Sequence, residues 1–206
     1  MGMARRGEQT LLVALVVLLL FGITLGVVWW RQMQQHMQQV SPPRAWTPEA
    51  LDSLGQAFLQ RLQQLLNETL QQGPEAAVRV CADTAQEFTA QFARQHGISL
   101  RRVALRWRNP RNRPDSVEAF WIEQFQRWQA EGRTLDTLVV LRSAGELRLL
   151  RPIVLRSALC LMCHGSQQEI PPSIAQLIAE RYPEDRARNF QLGQVRGALS
   201  IRVPEQ

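Results

Sequence analysis

The sequence predicts an α+β domain, an antiparallel sheet packed with helices, preceded by one N-terminal transmembrane helix. Three observations predict it. Residues 10–30 read TLLVALVVLLLFGITLGVVWW, without a charged side chain. Between residues 47 and 96, apolar residues recur at steps of three and four, the period of helices with one buried face. From Leu100 onward, short apolar segments are separated by turn residues, as in paired strands. Helices first and antiparallel strands after them is the α+β order.

Residues 1–9 precede the apolar run and 31–45 follow it. A helix over 10–30 rises roughly 30 Å, the thickness of a bilayer's hydrocarbon core. Trp29 and Trp30 close it where indoles favour the membrane–water interface. A cleaved signal peptide is the alternative. It has a shorter apolar core and a small-x-small cleavage site, and Trp29-Trp30-Arg31-Gln32 provides neither. Arg5 and Arg6 before the span, against a sparse Arg31 and Arg44 after it, put the N-terminus in the cytoplasm. The Gln-rich segment 31–45 reads as a juxtamembrane stalk stopped by Pro42 and Pro43. Residues 46–206 then form the folded domain, outside the cytoplasmic membrane.

Within that domain, Thr47-Pro48-Glu49 has the cap, first-turn proline and acid of a helix start. Leu51, Leu54, Phe58, Leu62, Leu65 and Leu66 carry its apolar face until Gly73. Pro74 opens a second helix, to about His96, with Ala77, Cys81, Ala85, Phe88 and Phe92 on one face. Cys81 is therefore expected to point with the buried residues. The Arg/apolar alternation over 100–107 predicts a half-exposed strand, followed by a turn-rich loop over 108–115. Asp115 and Glu118 form a capping-box pattern before a helix carrying Val117, Trp121, Phe125 and Trp128. Residues 135–142 and 146–155 read as a hairpin about Ser143-Ala144-Gly145. A short helix over 171–181 and a closing strand over 195–203 complete the domain.

The formal charge is +6, yet nucleic acid is not the expected partner. All basic side chains are Arg and none is Lys. They are scattered among Glu, Asp and Gln, without the basic-aromatic stripe of a nucleic-acid surface.

The chemistry lies in Cys160-Leu161-Met162-Cys163-His164, a C-x-x-C-H segment. Two thiols three positions apart reach the two vinyl groups on one edge of a porphyrin and form thioethers. His164 then offers an imidazole nitrogen to the iron. One covalent haem c is the cofactor this spacing favours. A redox dithiol needs no following His, a disulfide across two residues is strained, and adjacent Cys163 and His164 rarely share one tetrahedral zinc. These stand as alternatives. Covalent haem attachment in bacteria is an extracytoplasmic process, which agrees with a single-pass anchor in the bacterial inner membrane and a periplasmic domain.

The far side of the iron has few candidates. His36, Met33 and Met37 fall in the stalk, His96 ends a helix before Gly97, and Met162 sits inside the attachment loop. Cys81 remains, a lone thiol on an apolar helix face. It reads either as a ligand or as a small buried hydrophobe.

The chain resembles the PAS-like c-type haem domains of bacteria and cyanobacteria. The resemblance spans roughly residues 51–204. Its landmarks, in order, are Val80-Cys81; Arg108-Asn109-Pro110 with Asn112, Pro114 and Glu118; Pro152-Ile153; Cys160 to Gly165; Tyr182-Pro183-Glu184-Asp185 with Ala187; Gly193 with Arg196-Gly197-Ala198; and Val203-Pro204. It implies a PAS-like fold and Cys81 as the axial ligand opposite His164. Arg108, Asn109 and Pro110 are then expected to shape the haem pocket or the loop around it. Asn189-Phe190 stands where a Gly-aromatic pair is usual, and Gln194 where an acid is usual.

Three function classes follow. The first is a membrane-anchored sensor, in which redox change or a small gas such as NO or CO exchanges the Cys81 ligand of a low-potential haem. No kinase, methyl-accepting or cyclase pattern accompanies it, so a signalling partner protein is expected. The second is an electron-transfer c-type cytochrome with a redox partner. The third, an enzyme acting on a small molecule at the iron, is disfavoured because no catalytic constellation accompanies the motif.

Overall fold

A computed structural model describes residues 46–136 and 138–205, together with Arg31. Arg44–Gln206 form one compact unit. Among the described residues no helix is long and apolar enough to cross a membrane. The predicted span 10–30 and nearly all of the stalk lie outside those residues.

Helix α1 (Pro48–Leu70) starts where Thr47 Oγ1 accepts the Ala50 N–H at 3.2 Å. The next predicted helix is divided. Helix α2 (Pro74–Arg79) passes through a π-helical turn (Val80–Thr84) into α3 (Ala85–His96), and the Ala85 N–H reaches back to the Val80 carbonyl. A π turn adds one residue without ending the helix, so the apolar spacing on either side conceals it. Gly97 closes α3 in the left-handed region, at φ 63°.

Strand β1 (Ser99–Val103) is shorter than the alternation to Trp107 predicts. Its ladder with the last strand ends at Val103↔Ala198, and the next N–H, of Ala104, turns to the Asn112 carbonyl at 3.0 Å. A 3₁₀ turn (Pro110–Asn112) follows, held by Asn109 Oδ1 accepting the Arg111 N–H. Helix α4 (Ser116–Ala130) opens with both bonds of the expected capping box. Buried Glu118 also accepts from Arg101 Nη1 at 3.0 Å.

Strands β2 (Val139–Ser143) and β3 (Glu146–Val154) form the predicted hairpin. Ala144 and Gly145 both have positive φ, which matches a two-residue turn to the strand twist. β2 starts later than residue 135. Its ladder ends at Val139↔Leu150, and two residues further along β3 Pro152 has no N–H to offer. After a 3₁₀ turn (Ala158–Cys160) come α5 (Leu161–His164), α6 (Pro172–Arg181) and β4 (Val195–Pro204).

The sheet is antiparallel, in the order β1-β4-β3-β2. Period-2 alternation sends Leu147, Leu149, Leu199, Ile201 and Val203 to one face, where Leu51 and Phe58 of α1 and Phe88 and Phe92 of α3 pack. Leu150, Ala198 and Val195 face the other side, against Ile122 and Phe125 of α4. Helices thus cover both faces. Where β1, β3 and β4 meet the C-terminal half of α1 and the π turn, a cavity is left.

Candidate haem site

The cavity, of about 290 Å³, lies between the C-terminal half of α1, the π turn, the ends of β1, β3 and β4, and the short helix α5. Leu59, Leu62, Leu66, Val78, Ile153 and Leu155 give it an apolar lining. Cys81, Cys160, Cys163 and His164 all open onto it. Topology therefore brings together four residues that the sequence holds apart by about eighty positions.

Cys81 corrects one expectation. It is exposed rather than packed among core residues. The surface it exposes is cavity wall, crowded by protein, and burial pushes its thiol pKa up while the Arg102 and Arg108 charges partly offset that rise. Ala77 and Ala85, its neighbours on the predicted stripe, line the same cavity, so this part of the stripe faces the cavity and not a filled core. Burial raises the Cys163 thiol as well.

His164 is oriented by backbone. Its Nδ1 lies 2.9 Å from the Ala187 carbonyl, which can only accept, so Nδ1 carries the proton. Burial, then the Arg196 and Arg108 charges, hold its pKa well below the usual histidine value. The ring is therefore neutral with a free lone pair on Nε2, the tautomer a metal requires. Phe190 meets the ring edge-on at 6.3 Å.

The segment around Ala187 is fastened on three sides. Arg108 donates from Nε to Asp185 Oδ1 at 3.1 Å, and from Nη2 to the Cys163 and Ala187 carbonyls. Asp185 also accepts the Ala187 N–H at 2.9 Å and Arg188 Nε at 2.9 Å. The Asn189 and Phe190 N–H groups bond the Gly165 and His164 carbonyls. Asn189 adopts φ 57°, a left-handed conformation that asparagine tolerates better than most side chains. Gln194 Oε1 accepts the Gln191 N–H and closes the following turn.

Burial alone raises the Asp185 carboxyl pKa, but Arg108, the Ala187 N–H and Arg188 outweigh it and hold it below the ordinary value. A depressed folded-state pKa contributes stability that is present above the unfolded value of about 3.9 and lost as pH falls through the folded one. Asp185→Asn is thus expected to lower stability at pH 7 and to flatten its decline between about pH 5 and 2. Urea unfolding across that range checks this.

Two arginines close the polar end of the cavity. Arg102 reaches the Ala85 carbonyl beside Cys81. Arg196 donates from Nη1 to the Arg106 carbonyl, while its buried Nε has no partner among the described residues. Burial and the Arg108 charge push the Arg196 pKa down to about 9, which leaves it cationic at neutral pH. The alternation of β1 gave no sign that Arg102 turns inward, and Arg196 had no role beyond its place among the family landmarks.

Of the loop residues expected at the pocket, Arg108 and Asn109 line the cavity. Pro110 does not. It borders a neighbouring polar pocket with Gln86, Glu87, Arg111 and Arg181. The 3₁₀ turn that it opens carries it past the cavity rim. His96 packs on Phe92 at 4.6 Å, away from the cavity, and Met162 does not line it. His36, Met33 and Met37 lie outside the described residues.

The family model that matches this chain, over residues 28–204, is that of the Tll0287-like proteins. The chain belongs to the Tll0287-like family. Among solved structures, the crystal structure of the cyanobacterial heme-protein Tll0287 shares the fold. The TM-score is 0.59 over 78% of this chain and 98% of that one, at 22% identity. No curated protein sequence matches the chain. For this Tll0287-like chain, the shared fold thus spans nearly the whole of the solved relative.

Proposed function

We propose that this is a single-haem c-type protein in which Cys160 and Cys163 form the thioethers, His164 Nε2 is one axial ligand and Cys81 sulfur the other. The observation that carries the reading is one apolar cavity that receives three thiols and an imidazole already held in the ligating tautomer. The residues fit the group. The leucine and valine wall suits a porphyrin face, and the orphaned Arg196 Nε with the neighbouring Arg102 suits its carboxylates. The solved relative, a cyanobacterial heme-protein, supports the same reading. The PAS-like description rests on an antiparallel sheet packed with helices and enclosing a ligand-sized cavity.

Bound there, haem supplies a one-electron ferric/ferrous couple and an iron that takes diatomic ligands. Cys81, as an anionic thiolate, donates strongly and favours the ferric state, which sets a low potential. Reduction would weaken its hold on the group. Cys81 sits on a π turn, a helix irregularity that is frequent at functional sites. Were Cys81 released, the group would offer an open position to a small ligand, and the α2–α3 helix that carries Cys81 would be free to move. We therefore assign redox or small-ligand sensing, with a protein partner to receive the change. Electron transfer is the second reading. It is favoured by Leu159, which lines the cavity beside the attachment cysteines and is 52% exposed, so an edge of the site lies near solvent and a redox partner. The uncharged run over 10–30 supports an inner-membrane anchor with the domain on the periplasmic side.

Cys81→Ala is expected to convert the ferric absorption and EPR spectra from those of a thiolate-ligated haem to those of a haem with an exchangeable sixth position. The midpoint potential rises and CO binding to the reduced protein tightens. Unchanged ferric spectra would exclude Cys81 as a ligand. Slow electron exchange with tight, state-dependent gas binding favours the sensor, and rapid exchange with a quinol or cytochrome favours the carrier.

A further inference from the structure

We propose that Arg108 is a positioning residue that limits how strongly His164 donates to the iron, by sharing the carbonyl that holds the imidazole. The inference rests on the haem reading above. The Ala187 oxygen accepts from His164 Nδ1 at 2.9 Å and from Arg108 Nη2 at 3.2 Å. A carbonyl has two lone pairs, and both are used here. Arg108 cannot drift from this arrangement, because its Nε is tied to Asp185, whose side chain is 3% exposed, and its Nη2 also meets the Cys163 carbonyl. Asp185 in turn holds the Ala187 N–H. One guanidinium thus touches the attachment helix, the segment carrying the acceptor, and the acceptor itself.

The physical consequence has a definite sign. An Nδ1–H bond to a strong acceptor gives imidazole some imidazolate character, increases donation through Nε2 and favours ferric iron. A guanidinium on the same oxygen withdraws electron density from it and weakens it as an acceptor. Its positive charge near the iron disfavours the ferric state as well. Both effects raise the potential. A residue that only braced the segment would act in the other direction, since its loss loosens His164 and weakens donation.

The test is a spectroelectrochemical titration of the purified full-length holoprotein carrying Arg108→Met, with the EPR spectrum recorded in parallel. The expected result is a retained low-spin ferric signal and a fall in midpoint potential, roughly tenfold in the ferric/ferrous equilibrium, or about 59 mV for one electron. An unchanged or raised potential, or loss of the histidine-ligated signal, overturns the proposal. Arg108→Lys keeps a charge without the planar fork and is expected to fall as well. A wild-type potential in Arg108→Lys means that charge alone acts, which overturns the shared-carbonyl account. If Arg108→Met does not fold because Asp185 keeps only Arg188 as a charged partner, Arg108→Met with Asp185→Asn removes both buried charges, which offsets the charge effect and leaves the smaller fall expected from the freed carbonyl. If His164→Ala leaves the spectrum of the protein unchanged, the haem reading fails and the proposal with it. A His164-ligated haem whose potential ignores Arg108 overturns the proposal alone.

Discussion

Replacing Cys160 and Cys163 together by alanine is expected to leave a chain that retains no haem through denaturation. The wild-type chain should run as a haem-staining band on a denaturing gel, with the mass of the polypeptide plus one haem. The double variant should show the polypeptide mass alone. The loss is complete rather than graded because thioethers survive unfolding, whereas axial bonds and an apolar pocket do not. Each single variant keeps one thioether and is expected to hold haem covalently in lower yield. The structural ground is local. Cys160 ends the 3₁₀ turn over Ala158–Cys160, Cys163 lies one helical turn on in Leu161–His164, and both open onto the same cavity. A haem-bearing double variant would mean that these cysteines serve another chemistry, such as a redox dithiol.

Gly197→Val is expected to cost more than about 3 kcal/mol in folding stability, and Gly197→Ala about 1–3 kcal/mol. Gly197 follows Arg196 in β4, pairs with Ile153, and faces the point where β1 ends. A Cβ there overlaps the Val103 carbonyl oxygen, a backbone atom that cannot swing aside, and stands 3.0 Å from the Ala104 side chain. Relief requires β1 to separate from β4, which also displaces Arg102 and Ala104 from the cavity wall. Urea unfolding should therefore show a lower midpoint, and holoprotein yield should drop in the same variants. A Gly197→Val protein of wild-type stability would mean that the β1–β4 approach is looser than described.

Much of the local structure is legible in the residues themselves. Thr47-Pro48 and the Asp115/Glu118 box start helices because their side chains bond the free N–H groups of their own first turn. Ala144-Gly145 turns a hairpin because its backbone preferences match the strand twist. Such features depend on neighbours three or four positions away. The π turn escapes this kind of reading, since one added residue leaves the three- and four-step spacing intact on both sides. Cys81 lies within it, on the cavity wall.

The candidate site divides along the same line. Cys160, Cys163 and His164 stand out as a C-x-x-C-H motif by spacing alone, because the whole motif lies within five consecutive residues. Cys81 was reachable by elimination and by family likeness, yet its meeting with that turn depends on how the α2–α3 helix crosses the end of the sheet. Arg102 and Arg196 read as strand arginines, and only the packing of helices against the sheet makes them the polar end of a cavity. The Ala187 carbonyl has no side-chain signature at all. Every residue owns such an oxygen, and its selection as the partner of His164 and Arg108 is made by tertiary contacts. The sequence by itself determined the candidate attachment motif, since that lies within five consecutive residues. The tertiary structure decided which thiol, guanidinium and carbonyl meet that motif at the cavity, because those groups are brought together only when distant segments bury their apolar faces on one sheet.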